Sequence, residues 1–396
     1  MKHTKQSALE ATSAYAMLQI VCWGFFAINM GFSSNVLYEL GFTGGQVSIL
    51  LGLCTAVSFL LQLCLAEWIT ASGKIRLYAM LAGLGLVMMG ANALVLIPQL
   101  PRWGAAVSYG VCCLLLLMMP SFINAIGMDA IKRGSAANYS AARAVGSLGY
   151  SILAYVTGLL VRSRGVEMVA VMGILNAAML VVSSLWFHRA GERGLPVQTV
   201  TPGKAEGSPG FLRAYPLFAL FLGASVLLQF SHNLLSAFLF QIMADKNGGA
   251  DQQGVAAAIS ALVELPVMFF FPLMMRRLRC DKWVRFSSLF VAVKCVGILL
   301  STSPQGIYWA QATQMLGYGL YTISSVNYAE MVVGRGESVR AQTYLGATCT
   351  VGTLLATSTG GFLCQHLGPQ VMVLVSLAAA LTGGAVIAFT DEKTRE

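Results

Sequence analysis

Charge is what this chain has least of. Asp, Glu, Lys and Arg together make up 10% of its 396 residues, against roughly 25% in an ordinary soluble protein. So few charges could not coat the two or three water-soluble domains that this length would otherwise suggest. Histidine is scarce as well: His3, His188, His232 and His366 lie far apart. With no paired-Asp motif and no phosphate-binding loop, nothing marks a catalytic centre, which argues against a membrane-embedded enzyme such as a lipid-linked transferase. Nine cysteines without a C-x-x-C spacing suggest neither a zinc site nor a disulfide framework. All but Cys280, which falls in a basic loop, lie in apolar runs and read as small hydrophobes. No cofactor and no metal site is expected.

What the chain has in abundance is apolar surface. Hydrophobic residues account for 57% of the sequence, and the mean hydropathy is +0.71. A membrane span takes about 20–25 residues, so twelve would use about 240–300 and leave only short loops. The runs place helices near 13–38, 45–70, 77–97, 103–128, 139–161, 167–187, 214–243, 254–275, 284–303, 305–332, 342–365 and 368–390, with Gly, Pro or charge between most of them. The N-terminus is basic (Lys2, Lys5), and its apolar run continues far past the length of a signal-peptide core, so the first helix is expected to stay.

The longest polar stretch, 188–213, divides the chain into halves of similar length, 1–187 and 214–396. The expected fold is an all-α integral membrane protein of twelve transmembrane helices, as two six-helix bundles related by pseudo-twofold symmetry and joined by a cytoplasmic linker. Such repeats around a central cavity are a transporter architecture. Charge sets the orientation. With both termini cytoplasmic, only Arg102, Arg162, Arg164 and Lys246 fall in outside loops, Lys294 falls within a span, and every other Lys and Arg is inside. The net charge of +9 therefore reads as positive-inside bias in an inner-membrane, multi-pass protein, not as a nucleic-acid surface. Helices 5 and 11 each open near an Arg (Arg143, Arg340). They carry spaced glycines, Gly146, Gly149 and Gly158 and then Gly346, Gly352 and Gly360, which let helices approach closely and read either as a repeat signal between the halves or as the frequency of Gly in membrane helices.

Two segments resemble a known family. Tyr139-Ser-Ala-Ala-Arg143-Ala-Val-Gly146-Ser-Leu-Gly149-Tyr150 is similar to the opening of helix 5 in the lactose-permease-like and phenylpropionate-permease-like proton symporters of the major facilitator superfamily. Glu264-Leu-Pro266-Val-Met-Phe-Phe270 is similar to helix 8 of the second group. The loop after helix 2 keeps Gly73 and Lys74 of the superfamily signature but has Ala66 and Thr70 where Gly and Asp are expected. The resemblance implies that Arg143 donates to substrate oxygens and that Tyr150 stacks on substrate. It also puts Lys294 at an Arg that assists proton release, Gln314 at a helix-10 His, and Gly317 at the family's proton-carrying Glu. With that Glu missing, coupling must use another carboxylate.

Ionisable groups inside a span are costly and mark function by default. Glu264 and Lys294 are the two clear cases, at similar depth in helices 8 and 9, and are expected to pair. Glu264 is the candidate for the coupled proton, Asp129 the runner-up, and a fixed structural ion pair the alternative. On the substrate side the candidates are Arg143, Tyr150, Asn124, Gln229, His232, Asn233, Gln311 and Gln314. Amides suit sugar hydroxyls and nucleobases equally, and each one alone is as consistent with interhelical hydrogen bonding. Helix 10 also carries Asn327, and Asn29, Gln62 and Gln342 are weaker candidates.

The expected function is secondary active transport of a small polar solute, with a sugar or glycoside favoured, by proton-coupled alternating access. Its partners are the solute, protons and the lipid bilayer, and it works as a monomer. A nucleoside or aromatic carboxylate permease is the close alternative, with drug efflux and a non-transporting sensor behind it.

Overall fold

The apolar runs become sixteen α-helices in a computed structural model that describes residues 2–72, 77–132, 135, 137, 139–190, 211–333 and 338–389. They are α1 (Lys2–Phe25), α2 (Ser33–Glu39), α3 (Gly44–Ser72), α4 (Leu77–Val95), α5 (Arg102–Lys132), α6 (Tyr139–Arg164), α7 (Glu167–Ala190) and α8 (Phe211–Ala214). After these come α9 (Pro216–Ala237), α10 (Leu239–Ala244), α11 (Ala250–Met274), α12 (Cys280–Leu300), α13 (Pro304–Ala312), α14 (Tyr318–Val332), α15 (Ser338–Leu367) and α16 (Pro369–Phe389). Start and stop chemistry is local. Pro216 and Pro304 open α9 and α13, where a missing N–H is harmless. Gly165 and Gly368, just past α6 and α15, take the left-handed conformation (φ +95° and +85°) that a side chain would oppose. Cys280 is buried as the first residue of α12 rather than lying in a loop. The central stretch expected to be a linker falls largely in 191–210, outside the described residues.

Ten helical segments among the described residues are long and apolar enough to cross a bilayer, so the chain is a multi-pass membrane protein. The expected tenth and eleventh spans are not among them. The tenth is interrupted: α13 ends at Ala312, Thr313–Met315 forms a 3-10 turn, and α14 restarts at Tyr318. The eleventh is a continuous helix, α15, diluted by Thr343, Thr348, Thr350, Thr353, Thr357 and Thr359. Two further expected spans are broken. The first passes through a π-helical turn at Phe26–Met30 between α1 and α2, and the seventh breaks at Phe238 between α9 and α10.

The helices group into two compact units, Met1–Phe42 with Leu53–Gly203, and Thr43–Gly52 with Lys204–Glu396. The division differs from the expected halves in that the first turns of α3 go with the second unit. There the Gly45 N–H donates to Gln365 Oε1 at 2.7 Å and the Gly361 N–H to Ser48 Oγ at 2.6 Å. In the first unit α1 packs on α6 and α7, and α4 on α5 and α7. In the second, α9 packs on α15 and α16, and α12 on α14 and α16.

Small residues set these approaches. A Cβ at Gly146 or Gly149 would come within 2.9 Å of Trp23 or Ile20 on α1, and one at Gly352 within 2.5 Å of Gln229 on α9. Gly346 has open space, so the close-approach reading holds glycine by glycine. The first unit's core centres on Tyr15, Phe25, Leu116, Phe122 and Phe187. In the second, Val267, Phe271 and Leu320 join α11 to α14.

Candidate functional site

In the second unit, α13 and α14 pack against both α11 and α12, which puts the interrupted tenth span between the eighth and ninth. That order decides what Glu264 and Lys294 touch. Lys294 Nζ donates to Gln314 Oε1 at 2.5 Å, and Gln314 Nε2 donates to Glu264 Oε1 at 2.6 Å. The expected pair is therefore linked through an amide, whose oxygen faces the cation and whose NH2 faces the carboxylate. Lys294 is sealed at 4% exposure, whereas Glu264 is half-buried. An ammonium so enclosed needs acceptors with good geometry, or its desolvation goes uncompensated.

Gln314 lies in the 3-10 turn, next to the point where the helix stops. Beyond it, Gly317 departs from helical geometry (φ −84°, ψ −105°) and α14 begins again. Interrupted backbone at membrane depth is tolerated where protein surrounds it or water reaches it, and in transporters it marks binding sites. Gly319 lets the carboxylate come close, since a Cβ there would lie 2.9 Å from Glu264 Cγ.

Tyr318, the first residue of α14, stacks flat on His232 of α9, with ring centroids 3.4 Å apart and planes 3° from parallel. Its hydroxyl donates to Gln229 Oε1 at 3.2 Å. Ring stack, amide and interrupted helix thus form one cluster. Asn233 is used locally, donating to the Gln229 carbonyl at 2.8 Å, and Asn327 likewise donates to Ile323 O at 2.8 Å. Gln311 is buried at 2% exposure, and its Oε1 has no hydrogen-bond partner among the described residues.

The first unit holds a second cluster. The Arg143 guanidinium lies 4.0 Å from the Trp23 ring centroid and donates from Nη1 to Ser147 Oγ at 2.9 Å. Trp23 Nε1 donates to Gln19 Oε1 at 3.2 Å, and Gln19 Nε2 donates to Tyr15 Oη at 3.0 Å and to Asn124 Oδ1 at 3.2 Å. Arg143 and Asn124 are thereby joined through α1, by Trp23 and Gln19, which the sequence reading passed over. Their four-residue spacing in an apolar helix was the available signal. Tyr150 is half-buried two turns along α6 from Arg143. Asp129 lies near the end of α5, and its side chain is outside those described. Asn29 is spent on structure, donating to Asn92 Oδ1 at 2.9 Å. Gln62 donates to Ser58 Oγ at 3.3 Å and Gln342 to Val326 O at 2.9 Å.

Ten apolar membrane helices packed as two compact units, with a buried polar chain at an interrupted span, are the architecture of a membrane transporter. Residues 14–375 match the MFS_1 like family, and the chain belongs to that family. It is a transport protein rather than an enzyme.

Solved structures with the same fold come from several branches. The nucleoside transporter NupG is similar over 98% of this chain and 100% of its own, at 17% identity and a TM-score of 0.73. A bacterial homologue of the iron transporter ferroportin, in an inward-facing state, covers 96% and 98% at 16% identity and 0.75. An auto-inhibited POT family peptide transporter covers 98% and 98% at 10% identity and 0.69. No curated protein sequence matches the chain significantly.

Proposed function

We propose that this protein is a proton-coupled permease for nucleosides, working by alternating access with Glu264 as the proton-carrying group. The observation that carries the reading is the Lys294–Gln314–Glu264 chain at the break in the tenth span, beside the His232–Tyr318 stack and Gln229. A nucleoside has a flat ring to stack and a donor–acceptor edge to pair, and Tyr318, His232 and an amide supply both. The likeness to NupG structures supports the same choice.

A neutral cargo fits better than a carboxylate. Lys294 is sealed and engaged with Gln314, and Arg143 is spread over Trp23 and bonded to Ser147. Neither cation is offered openly to an anion. A sugar, favoured by sequence, would use the amides but leave the paired rings with less to do. The solved relatives also spread beyond the lactose-permease-like branch that the motifs suggested, to nucleoside, metal and peptide transporters.

In this mechanism, protonation of Glu264 removes the negative end of the chain and frees Gln314. Because Gln314 sits at the interruption, the turn at 313–317 and Tyr318 beyond it can then rearrange. Release of the proton on the other side re-forms the chain and resets the helix. Uptake of radiolabelled uridine and adenosine into proteoliposomes tests the proposal. Nucleosides should compete, and a protonophore should collapse gradient-driven uptake. Competition by sugars or aromatic carboxylates alone, or indifference to the protonophore, would reject it.

A further inference from the structure

The turn between α11 and α12 carries Arg276, Arg277 and Arg279, and the first turns of α12 add Lys282 and Arg285, all within ten residues. Arg279 is occupied, its Nε lying 3.5 Å from Asp281 Oδ1. Arg276, Arg277 and Lys282 are exposed and make no ion pair among the described residues. The turn is well held. The Arg276 N–H donates to Leu273 O at 3.2 Å and the Arg277 N–H to Met274 O at 3.0 Å. Trp283 Nε1 then ties α12 back to the end of α11, donating to Met274 O at 3.3 Å. An indole at that level suits the boundary between acyl chains and headgroups.

Two exposed apolar stripes run into these cations. On α11, Phe269 and Leu273, each more than half exposed, lead by steps of about one turn to Arg276 and Arg277. On α12, Leu289 and Phe286, also exposed, lead by the same steps to Lys282. Apolar stripe, interfacial Trp and unpaired cations repeat, in order, the acyl chain, glycerol level and phosphate of a phospholipid.

We infer that this turn binds the headgroup of an anionic phospholipid, with the acyl chains along α11 and α12. Native mass spectrometry of the purified protein with added phosphatidylglycerol or phosphatidylcholine reads it out. The wild type should retain phosphatidylglycerol preferentially and release it as salt is raised. With each near-surface cation worth roughly a factor of five, the Arg276→Gln, Arg277→Gln, Lys282→Gln triple variant should bind roughly a hundredfold more weakly. Arg162→Gln with Arg164→Gln, at the end of α6, should change nothing. The inference is overturned if the wild type holds both lipids equally, if the triple variant retains phosphatidylglycerol as the wild type does, or if the α6 variant loses it as fully. The wild-type lipid and salt arms decide the matter even if the triple variant does not fold.

Discussion

The two units solve the problem of a cation in a membrane differently. In the first, Arg143 stays half-buried and spreads over the Trp23 ring, with Ser147 taking one N–H. In the second, Lys294 is sealed, and its charge is answered through Gln314 by Glu264. A delocalised guanidinium tolerates an aromatic face, whereas a compact ammonium demands oxygen acceptors. The first arrangement rests on the last turn of α1, just before its π-helical turn, and on the continuous α6. The second sits at a break in the tenth span, where a change of charge acts beside interrupted helical backbone. Binding chemistry therefore fits either unit, but a proton-driven movement fits the second.

Breaking the second arrangement should have the largest effect. Glu264→Leu removes both charge and acceptor and strands the sealed ammonium, so stability should fall by about 3–5 kcal/mol, read as a lower Tm in detergent. Lys294→Met should fall less, because the half-buried carboxylate can still reach water. The double variant should be more stable than Glu264→Leu alone, and an equally unstable double would deny that the two charges are linked. Gln314→Leu is next. It leaves both ends of the chain without their amide partner, at about 1–3 kcal/mol per unsatisfied group, and should impair proton-driven uptake more than substrate exchange. Equal loss of both would make Gln314 structural only. The smallest effect is expected in the first unit, where Trp23→Leu removes a contact worth about 0.5–1 kcal/mol at an exposed site. It should weaken apparent nucleoside affinity a few-fold while leaving the pH dependence of transport alone. A shifted pH dependence would blur the contrast between the units.

Much of this was legible before any coordinates. Charge scarcity and apolar runs identified a multi-pass membrane protein, because every span must satisfy its own backbone. Glu264 and Lys294 stood out for the same reason, as charges where charge is expensive. What hid was anything set by packing order. Their short connecting loop suggested direct contact, yet the tenth span lies between their helices, so Gln314 became the bridge. The interruption at 313–317 was marked only by Gly317 and Gly319 in a run read as one helix. Gln19 and Trp23 escaped notice because uncharged polar residues in a span look alike until their neighbours are known. Tyr318 was invisible for the same reason, being one aromatic among many until it stacked on His232.

The central claim is that Glu264 carries the proton that drives uptake. It is tested most directly by following external pH in a lightly buffered suspension of proteoliposomes when nucleoside is added. The wild type should alkalinise the medium in step with uptake. Glu264→Gln, a fixed neutral stand-in for the protonated carboxyl, should exchange nucleoside across the membrane with no pH change. Alkalinisation by Glu264→Gln equal to that of the wild type would contradict the account.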